Sequence, residues 1–213
     1  MKTTIYVDGF NLYYAVLKGS GYKWLDLRRL FTTVLQPHHQ ITAIKYFTAR
    51  VKARPGDASS PTRQDAYLRA IRAHDPTIQV IEGHYLSHTV RAKLDPPLGG
   101  MRFATVVKTE EKGSDVNLAV HLLDDAWRNH FECAVIVSND SDLSESLRLV
   151  KAQDRSKTII VLTPGDPKVR RTSNQLARWA TATRNIYGPV LGNSLLPNPV
   201  VSGAKTIRKP ATW

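Results

Sequence analysis

Cysteine is almost missing from this chain. Cys133 is the single one in 213 residues, which excludes an internal disulfide and any thiolate zinc cluster. It falls in the apolar run CAVIV, where a buried, inert thiol is expected. Long hydrophobic runs are missing too, since nothing approaches the roughly 18 apolar residues of a membrane-spanning helix. The opening MKTTIYVDGF meets an aspartate at position 8, too early for the apolar stretch of a signal peptide. No membrane partner is expected, and a cytoplasmic location follows by default.

Several motifs are absent as well. There is no GxxxxGK[ST] loop and no GxGxxG after the first β-rich stretch, so ATP hydrolysis and dinucleotide binding lack support. No HExxH offers a zinc site. Two positions after Asp8 stands Phe10, where a haloacid-dehalogenase-type phosphatase needs a second aspartate. Asp140-Ser141-Asp142-Leu143 lacks the glycine and distal glutamate of an EF-hand loop.

Acidic residues are the minority charge, 18 against 30 Lys and Arg, which gives +12 and a pI near 10.0. From Lys168 to Trp213 there are eight basic residues and no acidic one. A field of this sign attracts polyanions, and nucleic acid is the commonest in a cytosol. The apolar share of 42% and charged share of 23% are ordinary for a globular protein, and the length suits one domain with a full core.

What is present reads as strands alternating with helices. Residues 3–7 are β-rich and end at Asp8-Gly9, followed by a helical stretch over 11–18. Asp26 can cap a helix over 27–36. Residues 41–50 alternate as a second strand, 52–61 form a loop, 63–74 a helix and 77–83 a third strand. Residues 84–102 resist assignment because Pro96-Pro97 and Gly99-Gly100 break any pattern, and 103–109 read as a short strand returning toward the core. A helix begins at Ser114, with Val116, Ala119, Val120 and Leu123 at helical spacing. The apolar run 133–138 has the character of a strand buried on both faces. An amphipathic helix from 142, a strand over 157–163, a helix near 172–180 and a last strand over 184–187 complete the series. Such alternation predicts an α/β fold whose central, mainly parallel sheet is flanked by helices on both faces. Residues 1–188 are expected to form the domain, and 189–213 a Pro-containing basic tail read as extended.

Asp8 directly follows the first strand, and Asn139-Asp140-Ser141-Asp142 directly follows the apolar one. In an open parallel sheet, sites form at the carboxyl ends of strands where connections diverge. If these strands are neighbours, Asp8, Asp140 and Asp142 converge. Taken singly, each could be a helix cap; together their repulsion calls for a cation. Asp115 sits in the first turn of its helix, where interaction with the helix dipole is the simpler role, although Gly113-Ser114 makes a tight entry that can aim it into a cleft. All-oxygen ligands suit Mg²⁺ or Mn²⁺, and phosphodiester hydrolysis joins such a site to a basic surface.

Three segments resemble the motifs of the NYN domain, a branch of the PIN-like nucleases: Val7-Asp8-Gly9-Phe10-Asn11-Leu12, Glu111-Lys112-Gly113-Ser114-Asp115-Val116 and Val137-Ser138-Asn139-Asp140-Ser141-Asp142-Leu143. The chain looks most like the bacterial LabA-like members, and the similarity runs from about residue 3 to residue 187. It implies a PIN-like Rossmannoid sheet, a magnesium-type ion and ribonuclease activity. Carried over by position, Asp8, Asp115, Asp140 and Asp142 form the catalytic and metal-binding set. Asn11 holds Asp8 or a water on the ion, while Ser138 and Asn139 support the site. Lys112 meets the substrate phosphate, unless it is simply an exposed lysine. One position departs from the family: His121 stands where another aspartate is usual, and it can either ligate a metal or pair with Asp125. The closing segment, from Leu196-Pro197-Asn198-Pro199 to Trp213, also resembles a tail of this branch.

Arg50, Lys52 and Arg54 fall at the end of the second strand, on the rim predicted for Asp8, and either contact phosphate or belong to a solvated loop. Tyr13 and Tyr14 either stack on a base or pack in the core. Trp24, Trp127 and Trp179 are read as structural, and Trp213 needs a pocket, with a homodimer partner as one source. The other histidines show no ligand spacing. A metal-dependent endoribonuclease is the leading expectation, with RNA as partner. A non-catalytic RNA-binding module ranks second, and a structure-specific DNA nuclease third.

Overall fold

The computed structural model describes residues 1–53 and 56–213; Arg54 lies outside them. The β-branched residues Thr3, Thr4, Ile5 and Val7 favour an extended backbone, and they form β1 (Lys2–Asp8). β1 ends where Asp8 caps α1 (Gly9–Leu12), accepting from the Asn11 N–H at 2.8 Å. The helix starts two residues earlier than expected and widens to a π-helical turn over Tyr13–Leu17. α2 (Leu27–Val34) is capped by Asp26, which accepts from the Arg29 N–H at 3.0 Å. There follow β2 (Gln40–Ala49), α3 (Ser60–His74), β3 (Ile78–Leu98), β4 (Met101–Lys112), α4 (Ser114–Trp127) and β5 (Cys133–Val137). A 3₁₀ turn (Ser141–Leu143) leads into α5 (Ser144–Gln153), then β6 (Thr158–Pro164), α6 (Asn174–Ala177), β7 (Ala182–Ile186), α7 (Pro189–Gly192), β8 (Val200–Ser202) and β9 (Lys205–Ile207).

Seven strands form one sheet in the order β4-β3-β2-β1-β5-β6-β7. Every neighbouring pair is parallel except β3 and β4. Alternation along β1 sends Ile5 and Val7 into one layer and Tyr6 into the other. The first layer packs Leu30, Phe31, Leu68 and Ile71 of α2 and α3, and the second packs Leu118, Leu122, Leu147 and Val150 of α4 and α5. β5 is buried along its whole length, as its unbroken apolar run requires. Cys133 lies there fully buried, and burial pushes its thiol up to about 11. No helix of the described residues is long and apolar enough to cross a membrane.

Four expectations are corrected. First, α4 buries Leu118, Leu122, Asp125 and Ala126, whereas Val116 and Val120 are 66% and 57% exposed. Two apolar stripes share this helix, and only packing selects the one that faces the sheet. Trp127, on the outer side, is 62% exposed rather than structural. Second, residues 84–112 form a long antiparallel hairpin, most of it exposed. Gly99 and Gly100 do not break it: both have positive φ, the conformation a two-residue hairpin turn needs. Third, the helix near 172–180 shrinks to Asn174–Ala177, because the Asn139 side chain bonds the Arg171 carbonyl and the Ser173 N–H and holds that approach open. Fourth, residues 189–213 are not extended. Leu191, Leu196, Val200 and Ile207 join the first core layer, and Trp213 packs on Trp24 and Tyr67 with ring centroids 6.5 and 5.9 Å away. The pocket that Trp213 needs is therefore supplied by its own chain.

Candidate active site

The strand order reverses between β1 and β5: β2 and β3 lie on one side of β1, while β5, β6 and β7 lie on the other. β1 and β5 pair in parallel, with Val7 opposite Val137. Asp8 and the Ser138–Asp142 segment therefore leave the sheet side by side at its carboxyl edge, where crevices form in such folds. Close packing sets this corner. A side chain on Gly9 would come within 2.7 Å of the Phe47 carbonyl and 2.8 Å of the Tyr46 ring.

Asp8 is only 4% exposed. The Ser138 hydroxyl donates to its second carboxylate oxygen at 2.8 Å and accepts from the Asp140 N–H at 3.1 Å. Ser138 thus ties the two acidic motifs together. Burial raises the Asp8 pKa, the hydrogen bonds from the Asn11 N–H and Ser138 lower it, and the charge of Asp140 raises it further. Asp140 caps the 3₁₀ turn by accepting from the Asp142 N–H at 3.1 Å.

Asp115 reaches the same cleft from the first turn of α4, entered through Gly113 at φ 97°. Asp115 is exposed at the cleft surface, yet partial loss of water around it is the largest cause pushing it up to about 6, and the charges of Asp8, Asp140, Glu111 and Asp142 add to it. Asp8, Asn11, Asp115 and Asp140 line one open cleft of about 470 Å³.

Other expected residues stand differently. Asp142 is exposed and does not line the cleft, although its charge reaches Asp115. Asn11 holds Asp8 with its backbone N–H; its side chain instead accepts from Arg170 at 3.1 Å. Asn139 is spent on the backbone of residues 171–173. Lys112 is exposed and pairs with Glu110 at 3.3 Å. Arg50 is held by Asp65 at 2.7 Å and Glu82 at 2.9 Å, and Lys52 is exposed away from the cleft lining.

His121 does not line the cleft. It lies against Phe47, with ring centroids 5.6 Å apart, in a separate cavity with Lys45, Asp125 and His130. Six residues along a helix of about 1.5 Å rise carry it roughly 9 Å from Asp115, toward the amino ends of the strands. Asp125 is already engaged by Tyr6, Lys45 and His130.

Glu111, Arg170 and Tyr85 are among the cleft residues to which the sequence assigned no site role. Glu111 accepts from the Ser114 N–H and hydroxyl at 3.0 and 2.8 Å. Arg170 belongs to the basic run after β6, and a third strand end on the same rim was the available signal.

Among the described residues, no three His, Cys, Asp or Glu side chains stand close enough to form a ready-made metal cage. The donors are nevertheless chemically suited to a hard cation. Mg²⁺ keeps several waters and usually takes one or two carboxylates plus a substrate phosphate, a demand that an open cleft lined by the carboxylates of Asp8, Glu111, Asp115 and Asp140 fits.

Fold and site together define a Rossmann-like α/β domain with an acidic cleft at its switch point. The NYN domain matches residues 2–183, and the chain belongs to that family, whose fold is nuclease-like. The chain is also 36% identical over 239 residues to 6-hydroxy-3-succinoylpyridine 3-monooxygenase HspA of Pseudomonas putida, a match that covers 100% of this chain and 75% of that protein. A crystal structure of a protein of unknown function from Vibrio parahaemolyticus superposes with a TM-score of 0.54 at 20% identity, covering 92% of this chain and 96% of that one. At that identity the likeness speaks to the fold alone.

Proposed function

We propose that this chain is a metal-dependent endoribonuclease that hydrolyses phosphodiester bonds in RNA with Mg²⁺ or Mn²⁺. The observation that carries the reading is the cleft at the β1–β5 switch, where Asp8, Asp115 and Asp140 share one space at mutual electrostatic cost. A protein that only binds an anion gains nothing from such a group of carboxylates. When bound, a divalent ion supplies stabilisation of the charge developing on the phosphate and activation of the attacking water. The chain's own residues do the positioning. Ser138 and the Asn11 N–H fix the Asp8 carboxylate, and Arg170 at the cleft wall offers a cation to the substrate phosphate. The +12 charge concentrates RNA around the chain.

A second reading is favoured by the 36% identity to a pyridine-ring monooxygenase and by an aromatic cavity beside the cleft. Monooxygenation consumes O₂ and two electrons from a reductant, leaving a hydroxylated ring and water. The acidic cleft does not favour it, since non-haem iron oxygenases use two histidines and one carboxylate, and the cleft lining contains no histidine among the described residues.

Labelled RNA and DNA pools incubated with Mg²⁺, Mn²⁺ or EDTA test the nuclease reading. Metal-dependent RNA cleavage, lost in Asp140→Asn, is the expected result. Undiminished cleavage in EDTA would overturn the mechanism. Oxygen uptake with a hydroxypyridine and NADH, without RNA cleavage, would favour the second reading.

A further inference from the structure

The chain from Gly9 to Tyr14 separates the acidic cleft from a second cavity on the other face of the sheet, and Phe10 and Tyr14 line both. This cavity holds about 190 Å³, room for a single ring system rather than a drug-sized molecule. Its apolar walls are rings. Tyr46 and Tyr67 meet edge to face at 6.3 Å, Trp213 packs on Tyr67 at 5.9 Å, and Tyr13 meets Tyr14 at 5.3 Å. Aromatic walls in these orientations suit a flat, polarisable guest.

Two further observations point to a ligand. Tyr46 is only 6% exposed as a residue, and its hydroxyl, which has no hydrogen-bond partner among the described residues, is not sealed in the core but opens on this space. By contrast, the Tyr67 hydroxyl donates to the Leu25 carbonyl at 3.0 Å. A hydroxyl open to the cavity and not used inside the protein is free to donate to a ring nitrogen or carbonyl of a guest. In addition, Lys18 and Lys23 line the cavity with no carboxylate partner among the described residues, whereas its Arg63 is neutralised by Asp57 at 2.6 Å.

We propose that the cavity binds a planar heteroaromatic ring attached to an anionic group, the ring lying among Tyr13, Tyr46 and Trp213, with Tyr46 donating to it and Lys18 and Lys23 facing the anion. A base of the RNA strand is the source favoured here, its phosphate leading into the neighbouring cleft; a free heteroaromatic acid has the same chemistry. The ring site stands by itself, while its service to catalysis rests on the metal reading.

Tryptophan fluorescence separates these points, since Trp213 lines the cavity and packs on Trp24. The intact chain is titrated in EDTA with adenosine 5′-monophosphate, uridine 5′-monophosphate, ribose 5-phosphate and 6-hydroxypyridine-3-carboxylate. The ring-bearing probes should bind at least about tenfold tighter than ribose 5-phosphate. Tyr46→Phe should weaken them about five- to tenfold, one hydrogen bond's share, without affecting ribose 5-phosphate. Tyr13→Ala should weaken ring binding with no effect on ribose 5-phosphate. Equal binding of ribose 5-phosphate and nucleotides, or unchanged affinity in both variants, would overturn the proposal. Nucleotides binding above the pyridine acid support the RNA source. The reverse order supports the ring site with a free acid as its ligand and removes the link to RNA. Repeating the titration in Mg²⁺ tests the cleft: nucleotide affinity that does not rise, with ring binding intact, counts against the metal reading alone.

Discussion

The two ends of α4 each carry an aspartate, Asp115 exposed at the cleft and Asp125 buried, and treat it in opposite ways. Asp115 occupies the first turn, where the helix dipole favours a negative charge, and Asp125 the last turn, where the dipole opposes one. The dipole alone would make Asp115 the more acidic. The reverse holds: Asp115 is pushed up to about 6, whereas Asp125 is held below its ordinary value. For Asp125, burial raises the pKa but is outweighed by hydrogen bonds from Lys45 at 2.6 Å, Tyr6 at 2.5 Å and His130. Around Asp115, partial removal from water raises the pKa most, and the charges of Asp8, Asp140, Glu111 and Asp142 raise it further. A dipole worth about 0.3–1 kcal/mol loses at both ends to the immediate surroundings. One end is internally satisfied and structural; at the other, every side-chain charge that shifts Asp115 is negative.

Activity should expose the contrast most strongly. Asp8→Asn and Asp140→Asn are expected to lower metal-dependent RNA cleavage by at least about 10²-fold, while Lys45→Met with Asp125→Leu, which removes both charges at the satisfied end, should leave turnover per folded molecule within about threefold. Equal losses at both ends would erase the distinction. For stability the order reverses. Asp125→Ala strands a buried Lys45 and should lose about 3 kcal/mol in denaturant melts. Asp140→Asn in EDTA should melt level with or above the unmodified chain, and millimolar Mg²⁺ should stabilise only the latter appreciably, through RT ln(1 + [L]/Kd).

The two aspartates should also bend the pH profile in opposite senses. In EDTA the folded chain holds more protons at Asp115 than the unfolded chain does between the ordinary 3.8 and about 6. Stability from this group must therefore fall as pH rises through that window, and Asp115→Asn should flatten the fall. Asp125 contributes stability that is present above the ordinary value and lost as pH drops through its depressed one. Difference melts of each variant against the parent, from about pH 2 to 7, check both signs; slopes of the same sign would refute the comparison.

The smallest effect concerns the basic surface. Deleting residues 189–213 is not a clean test, because it strips Leu191, Leu196, Val200 and Ile207 from the core. Lys205→Ala and Arg208→Ala leave those contacts alone. If both touch phosphate, the slope of log affinity for RNA against log salt should shrink by about one for each. An unchanged slope would place the RNA path elsewhere, for example along the Arg170 side of the cleft.

Much of this was legible in one dimension. Strand period, breaker residues and caps are local properties, so β1, β2, β5 and β6, the Asp26 cap and the α/β class could be read directly from residue order. The acidic motifs could be read because each directly follows an apolar strand, and parallel strands deliver their carboxyl ends to one rim. The remainder depended on partners far away in the chain. Which stripe of α4 faces the sheet was decided by what packs against Leu118 and Leu122, not by the spacing of Val116 and Val120. His121 shares a helix with Asp115 but turns toward the Lys45–Asp125 end, a consequence of helical rise and phase that a motif position does not reveal. Arg170 entered the cleft because β6 ends on the same rim. The proline-rich closing segment looked extended because prolines break local pattern, yet its scattered Leu191, Leu196, Val200 and Ile207 found a surface to bury against. Local chemistry chose the elements and their order, while burial and electrostatics, which sum over residues distant in the chain, selected the faces, the partners and the direction in which each aspartate shifts.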